Sequence, residues 1–429
     1  MASDRADYDD QPNPAADSAP PLDVGVRMKL SIMMFLQFAI WGSWATVVGN
    51  YLDHLKFSKE DIGWIGSLMP LGGMVGPMLL IFSQLADRFV ASEKLLGAFH
   101  LLGAGCLYWV STITDAGQFW PMFAAMSAYA LLYNATLALS NSITFTHVVG
   151  ERDFPSIRVL GTIGWIAAGF ALDYVLGSKE KPVHTGNTFL LMAVGLSAVL
   201  GVFCFFLPAT PPSGRKGDAL PFVKAFGLFK DPAFAVFFGV SFVITIVLAF
   251  YYSFTGLYLG KSHGVTNIAS TMIWGQVAEI FFMLLLPWFL RTMGMKGVLT
   301  LGMLCWGLRY ALFAFSAGKE ELYSMAFVGI LLHGICFDFF FAAAFIYVDK
   351  KAPPDIRPSA QALFTFLTYG AGMFIGNIVA GYLAGFLTTK TAEGAEVVDW
   401  QTFWLVPAVG VFVSMLAFVA LFRNGRESR

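Results

Sequence analysis

The chain has 429 residues, of which 57% are hydrophobic and only 13% charged, and its net charge is −1. Soluble domains carry about 25% charged residues, so this composition excludes an ordinary soluble protein and predicts one that crosses a membrane many times. No basic run occurs that would favour a nucleic acid partner. The four cysteines lie in apolar segments without metal or redox spacing, so we expect small core residues.

Apolar segments alternate with polar connections along almost the whole chain. The first 27 residues are rich in Asp, Pro and Ala and lack an apolar signal region, so we expect a disordered tail. Segments of about 20 apolar residues, enough to span a bilayer, then recur twelve times. They lie near residues 30–52, 61–84, 94–114, 118–148, 156–177, 188–208, 233–259, 268–290, 296–317, 321–348, 358–388 and 401–422. The pattern predicts an all-α membrane protein of twelve transmembrane helices.

The longest internal polar connection, about residues 208 to 232, separates six spans from six. We therefore expect an N-terminal half at 28–208, a linker at 209–232, a C-terminal half at 233–422 and a short tail at 423–429. Two six-helix halves are a common plan of transporters, which bind substrate between the halves near the middle of the membrane. Glycines four residues apart, such as Gly381 and Gly385, indicate close helix packing.

Lysine and arginine are distributed unevenly between the loops on the two sides of the membrane. If the N-terminus is cytoplasmic, 18 of the 27 Lys and Arg residues fall inside and 7 outside, and the other two lie in or near spans. Cytoplasmic loops carry the excess of positive charge. This count predicts that both termini are cytoplasmic.

Three polar or aromatic side chains share one face of the fifth span. Arg158, Thr162 and Trp165 are spaced i, i+4 and i+7 on the predicted helix. A charge at membrane depth normally faces the bundle interior or a water-filled cavity. The alternative is that Arg158 reaches back to the headgroups, because it lies near the start of the span.

The second half carries further polar residues within its apolar spans. Glu279 follows Gln276 by three residues on the same face of the eighth span. A partly desolvated carboxylate can take up and release a proton near neutral pH, so Glu279 is the first candidate for proton coupling. Asp338 in the tenth span and Arg309 in the ninth lie on adjacent spans, and we expect a structural ion pair between them.

His333 and Phe337, four residues apart, share a face of the tenth span and could together contact a flat ligand. His333 and Asp338 are five residues apart and are not expected to pair directly. Two amides, Gln37 in the first span and Asn141 in the fourth, fit hydrogen bonds between helices at least as well as substrate contact.

Several long stretches resemble the bacterial nucleoside:proton symporter family of the major facilitator superfamily. They are Phe35-Leu-Gln-Phe-Ala-Ile-Trp-Gly-Ser-Trp44, Arg158-Val-Leu-Gly-Thr-Ile-Gly-Trp165, Phe337-Asp-Phe-Phe340, Ile356-Arg-Pro-Ser-Ala-Gln361 and Asp399-Trp-Gln-Thr-Phe-Trp404. A shorter stretch, Gln84-Leu-Ala-Asp87-Arg88, is similar to the loop signature of the superfamily. The resemblance implies the major facilitator fold and a location in the bacterial cytoplasmic (inner) membrane.

The resemblance also implies roles for particular residues. Substrate-binding positions of the family are matched by Arg158, Thr162, Trp165, Gln276, Glu279, His333 and Phe337, and proton coupling is assigned to Glu279 and Asp338. Gln37, Asn141, Tyr252 and Arg309 are further candidates for the cavity.

Four family positions are changed in this chain. Ala249 and Tyr252 replace a Gln and an Asn, His333 replaces a Tyr, and Trp165 replaces a Phe. Changed polar partners can shift substrate preference strongly. The resemblance therefore implies the transporter class without naming the nucleoside.

The leading hypothesis is proton-driven uptake of nucleosides by alternating access, with the proton as coupling ion and no cofactor or metal. We expect a monomer whose partners are a small-molecule substrate and the lipid bilayer. One alternative keeps the fold and carries another polar solute such as a sugar, with or without protons. A receptor or scaffold is disfavoured by the lack of a sizeable soluble domain, and no catalytic constellation indicates an enzyme.

Overall fold

The computed structural model describes residues 22–78, 90–148, 150–212 and 221–422. Some sequence predictions lie outside these ranges: the tail before residue 22, the Asp87-Arg88 motif, residues 213–220 of the linker, and the final tail 423–429.

The described chain is almost entirely helical. Nine of its helical segments are long and apolar enough to cross a membrane. One of them, Ile268–Ser316, has 49 residues, about twice what a bilayer needs. The backbone at Gly294 (φ 67°, ψ 172°) breaks it into the eighth and ninth spans. Two further helical stretches are the second span, Lys59–Gly66 with Leu68–Met78, and the third, Ser92–Ser111, which complete the predicted twelve.

Four of the other spans are continuous helices: the fourth is Phe119–His147, the sixth Thr188–Phe203, the seventh Pro232–His263 and the twelfth Trp400–Leu421. The first consists of Val24–Gly42 and, after a turn, Val48–His54, and the fifth of Gly150–Ala171 followed by the π-helix Leu172–Leu176. The tenth consists of Tyr323–Leu331, His333–Phe337, the π-helix Asp338–Ala342 and Ala343–Lys351, and the eleventh of Arg357–Thr365, the π-helix Phe366–Gly372 and Met373–Phe386. Short 3-10 helices are Ala116–Gln118, Val183–Thr185, Cys204–Phe206, Pro221–Lys230, Glu320–Leu322 and Pro354–Ile356. A small antiparallel hairpin joins strands β1 (Thr388–Lys390) and β2 (Glu396–Val398).

Local capping sets several helix ends. The first span starts at Val24, before the predicted end of the tail at residue 27, because the Asp23 carboxylate accepts a hydrogen bond from the Val26 N–H. Asp231 caps the seventh span in the same way and is followed by Pro232, which fits the first turn of a helix. Gly264, with φ 64°, ends that span in the left-handed conformation that glycine adopts without strain.

The helices pack as two groups that meet at several pairs of helices. In the first group the first span packs on the fifth, and the third packs on the fourth and sixth. In the second group the helix of the eighth and ninth spans packs on the tenth and twelfth. Between the groups the second span meets the eleventh, the first meets the seventh, and the fifth meets the eighth. The boundary between the halves at 209–232 stays a prediction.

The first span begins and the twelfth ends at one face of the molecule, which we call the terminal face. We call the opposite one the distal face. Near the distal face Asn50 donates to the Gly256 carbonyl at 3.0 Å, and Asp173 accepts from the Ser270 backbone N–H at 2.6 Å and its hydroxyl at 2.8 Å. Both contacts join one half to the other, so the halves are held together at this face.

Four charged residues at the distal face form what we call the distal latch: Asp53, Lys59, Lys261 and Glu396. Asp53 pairs with Lys59 at 2.6 Å and with Lys261 of the other half at 3.0 Å, and Lys59 lies 3.6 Å from Glu396. Beside the latch, Gly63 and Gly381 bring the second and eleventh spans close together. A Cβ on Gly63 would lie 2.8 Å from the Cα of Gly381, which confirms the predicted close packing at Gly381.

All four cysteines are unpaired, and three of them are buried. This agrees with their prediction as small core residues.

Candidate functional site

Arg158 of the fifth span points into the protein. Its guanidinium carbon lies 4.0 Å above the Phe38 ring of the first span, a cation–π distance. It also attracts the carboxylate of Glu279 on the eighth span, in the other half. The structure therefore places the Arg158 guanidinium inside the helix bundle and not at the lipid headgroups.

Trp165 and Thr162 follow Arg158 along the same helix and are both half-buried. The Trp165 ring packs edge-on against Trp41 with ring centres 5.3 Å apart. Among the described residues its indole N–H has no hydrogen-bond partner. The fifth span therefore offers a cation, a hydroxyl and an unused N–H donor along one face.

Gln276 and Glu279 of the eighth span are also half-buried. Within the described ranges the amide oxygen of Gln276 accepts no hydrogen bond. The Glu279 side chain is 28% exposed, and its Oε2 lies 3.9 Å from Nε2 of His333. Glu279 thus lies between a cation of the first half and an imidazole of the second.

Glycine explains why Glu279 and His333 are neighbours. A Cβ on Gly334 of the tenth span would lie 2.6 Å from the Ala278 carbonyl and 2.7 Å from the Glu279 nitrogen. Real Cβ atoms do not approach this closely, so only glycine lets the eighth and tenth spans touch here. The close approach places both side chains at the same depth.

Arg309 of the ninth span is fully buried and contacts His333. Its terminal nitrogen Nη2 lies 2.7 Å from the His333 Nδ1, and its Nε donates to the Gly329 carbonyl at 3.1 Å. The guanidinium carbon lies 4.1 Å above the Tyr251 ring and 5.1 Å from that of Trp306. Aromatic faces, a carbonyl and an imidazole therefore surround this cation.

The predicted ion pair between Arg309 and Asp338 is wrong. Asp338 is fully buried, and neither of its carboxylate oxygens has a hydrogen-bond partner among the described residues. Arg309 is turned toward His333 and Tyr251 instead. The two residues lie on adjacent spans, but the rotation of each helix directs their side chains differently. Asp338 and Glu279 are close enough for their negative charges to repel each other.

Aromatic rings form one wall of the site. Phe337 lies 5.6 Å from His333 and 6.4 Å from Tyr369, measured between ring centres, and Tyr252 meets the His333 ring edge-on at 6.0 Å. The predicted sharing of one face by His333 and Phe337 is confirmed. Tyr369 sits in the π-helix of the eleventh span, and π-helical turns often occur at functional sites.

Sequence reasoning missed Tyr251 and Tyr369. Tyr251 stacks on His333 at 5.1 Å, and Tyr369 is close enough to Glu279 and Asp338 to interact with both charges. The available signal was a phenol hydroxyl inside an apolar span, whereas Tyr252 was selected only because it stands at a changed family position.

The two candidate amides of the first half differ. Gln37 is fully buried and uses its amide within that half: its Nε2 donates to Thr136 at 2.7 Å, and its Oε1 lies 2.8 Å from Nε2 of His100. These are hydrogen bonds between helices, one of the two interpretations from the sequence, and His100 was missed. Asn141 is half-buried on the fourth span. Ala249, at one changed family position, is fully buried and packs near Gly376.

A cavity of about 610 Å³ opens at the distal face beside the latch. None of the predicted substrate residues lines it. We place the candidate site instead between the halves, where the Arg158, Glu279 and His333 side chains converge.

The model of a known protein family, described as "Nucleoside H+ symporter", matches residues 24–427. The chain belongs to this family. It is 39% identical over 406 residues to YegT of Escherichia coli (strain K12), covering 92% of this chain and 93% of YegT. It is 29% identical over 415 residues to the xanthosine permease of the same organism, covering 92% of this chain and 96% of that protein.

The solved structure of the nucleoside transporter NupG has the same fold. The two chains superpose with a TM-score of 0.82 at 29% identity, over 93% of this chain and 100% of NupG. The predicted fold, twelve helices of the major facilitator type, is confirmed.

Proposed function

We propose that this protein takes up nucleosides across the bacterial inner membrane by symport with protons. The family match and the similarity to a xanthosine permease and to NupG support the substrate class. The proposed orientation puts the terminal face in the cytoplasm, as the distribution of Lys and Arg favours. Rocking of one half against the other would expose the site to each side in turn.

One observation carries the proposal: Glu279 is a partly exposed carboxylate placed where the two halves meet. It attracts Arg158 of one half and lies 3.9 Å from His333 of the other. A proton on Glu279 removes its attraction for Arg158, so protonation changes the force between the halves. We assign Glu279 to proton coupling and substrate hydrogen bonding.

The other roles rest on the unpaired polar atoms and the ring faces of the candidate side chains. Arg158 and Thr162 would contact ribose or base, and the unpartnered oxygen of Gln276 would accept from the substrate. Trp165 and Phe337 offer ring faces on which a base can stack. Asp338 is the second candidate for proton coupling.

The deciding experiment is uptake of a panel of tritium-labelled nucleosides into proteoliposomes with an inward proton gradient. We expect accumulation that collapses with a protonophore. Glu279→Gln should abolish accumulation while exchange of nucleoside across the membrane persists. Glu393→Gln, in the exposed hairpin loop, is the matched control and should transport normally. Full proton-driven accumulation by Glu279→Gln would contradict the assignment.

A second candidate function is the carriage of another polar solute such as a sugar. Tyr252 and His333 favour it, because they add a phenol and an imidazole next to each other in the site. If no nucleoside competes with a bound sugar, and none is taken up by folded protein, this alternative replaces the first.

A further inference from the structure

Arg309 has no established role, although it is a fully buried cation beside the proposed site. Every nitrogen of a guanidinium is a hydrogen-bond donor and none accepts. The 2.7 Å contact between its Nη2 and Nδ1 of His333 is therefore a bond that Arg309 donates. It requires a lone pair on Nδ1.

The lone pair fixes the position of the imidazole proton. A ring that accepts at Nδ1 is neutral and carries its hydrogen on Nε2. A second proton on the ring would place two cations at hydrogen-bond distance in a fully buried setting, since His333 and Arg309 both have no exposed surface. Stacking on Tyr251 at 5.1 Å, and the close approach of Gly275 to the His333 Cβ, hold the ring in this orientation.

The Nε2 hydrogen has no hydrogen-bond acceptor among the described residues. Oε2 of Glu279 lies 3.9 Å from Nε2, beyond hydrogen-bond length. The pair thus places a buried donor that has no acceptor beside a partly exposed carboxylate that accepts. A ligand group that both accepts and donates, such as a ribose hydroxyl or the polar edge of a base, fits this pair.

We infer that Arg309 is a positioning residue for substrate recognition: it fixes the tautomer of His333 so that Nε2–H is offered as a donor beside the Glu279 carboxylate. This inference rests on the proposed function for the identity of the ligand. The tautomer itself is independent of any ligand.

The first test is nitrogen NMR of the full-length protein, labelled with ¹⁵N-histidine, in detergent without ligand. The chain has six histidines, and the His333→Gln spectrum identifies the His333 signals by difference. We expect a protonated Nε2 and an unprotonated Nδ1. A proton on Nδ1, or on both nitrogens, would overturn the inference. This result does not depend on transport, so it stays separate from failure of the proposed function.

The second test is a double-mutant comparison of equilibrium binding, with tritium-labelled uridine and inosine as probes. His333→Gln should retain binding because the glutamine amide can supply the donor of Nε2. Arg309→Met should weaken binding by about ten-fold or more in the native background, and by less than about two-fold in the His333→Gln background. Arg309→Lys, which can still donate to Nδ1, should restore most of the affinity.

A purely structural Arg309 would weaken binding equally in both backgrounds, and that outcome would overturn the inference. If Arg309→Met does not fold, the inference is tested by the NMR spectrum of the native protein and by nucleoside binding to the Arg309→Lys variant. If the native protein shows the expected tautomer but binds neither of these probes nor any other nucleoside of the uptake panel, the proposed function fails, and only the assignment of the His333 tautomer to Arg309 stands.

Discussion

Three charged side chains inside the protein, the fully buried Arg309 and Asp338 and the half-buried Arg158, are stabilised in different ways. Arg309 has aromatic faces, a carbonyl and an imidazole around it, and Arg158 has the Phe38 ring and the attraction of Glu279. Asp338 has neither a cation nor a hydrogen-bond donor among the described residues. Burying a charge without partners is expensive, so Asp338 is a costly residue whose structural contacts do not explain it.

Replacing Asp338 by asparagine tests this at the level of one side chain. The amide has the same shape and no charge, and no described partner is lost. We therefore expect an unchanged or higher melting temperature, together with a loss of proton-driven accumulation of about ten-fold or more.

Asp349→Asn, on the exposed end of the same span, is the control and should change neither property. A fall of several degrees in the melting temperature of Asp338→Asn would instead show a structural role.

The sequence predicted which residues share a face of one helix, but not which side chains meet between helices. Faces along one helix were predictable, because spacing alone places Gln276 with Glu279 and His333 with Phe337. Contacts between helices were not, as the absent Arg309–Asp338 pair and the Gln37–His100 bond show. Those depend on how each helix is rotated, which local spacing does not determine.

At the scale of whole helices, the apolar segments predicted all twelve spans, because their length follows from bilayer thickness. The three π-helical segments were not predicted. Each contains a residue of the interface or the site: Asp173, Asp338 or Tyr369. Wide turns of this kind depend on tertiary contacts that have no simple sequence signature.

The approach of the second and eleventh spans gives a prediction at this scale. Gly381→Leu should prevent their contact, because Gly63 leaves no room for a side chain there. We expect the distal side to open and uptake to fall by about ten-fold or more. Opening can be measured by the reaction of an impermeant thiol reagent with Ser262→Cys, a buried position at the distal cavity, in a variant without native cysteines.

The matched control for that experiment is Gly195→Leu. Gly195 is exposed on the sixth span, and a Cβ there would meet nothing within 4 Å. It should leave both labelling and uptake unchanged. If Ser262→Cys is labelled at the native rate in the Gly381→Leu variant, the eleventh span can move to accept the leucine without opening the distal side.

At the scale of the whole molecule, the distal latch joins the halves through two mostly buried charges, Asp53 and Lys59, and two exposed ones, Lys261 and Glu396. Burial opposes ionisation of Asp53, but the ammonium groups of Lys59 and Lys261 outweigh it and lower the pKa of Asp53 below its ordinary value of 3.8. A carboxylate with a lowered pKa contributes stability above its unfolded pKa and loses it as the pH falls through the folded one. The Asp53 carboxylate therefore stays charged throughout the range in which a transporter works.

We accordingly expect the labelling of Ser262→Cys, normalised to denatured protein at each pH, to change little between about pH 5 and pH 8. Lys261→Gln should increase labelling at every pH by about two-fold, since a surface ion pair contributes roughly 0.2–1 kcal/mol. A steep rise in labelling on acidification would show that protons act on the latch, and not only on the central carboxylates.

The contact between Asp173 and Ser270 has a mechanical consequence. The fifth span carries Arg158 and Asp173, and the eighth carries Ser270 and Glu279, so each helix has residues of the candidate site along its length and a contact with the other helix near its distal end. Two helices that are bonded together at one end separate most easily at the other. While Asp173 accepts hydrogen bonds from Ser270, the fifth and eighth spans can separate only toward the terminal face. When these hydrogen bonds break, the first N–H groups of the eighth span must bind water instead. The contact that closes the distal side therefore also determines the free energy needed to open it.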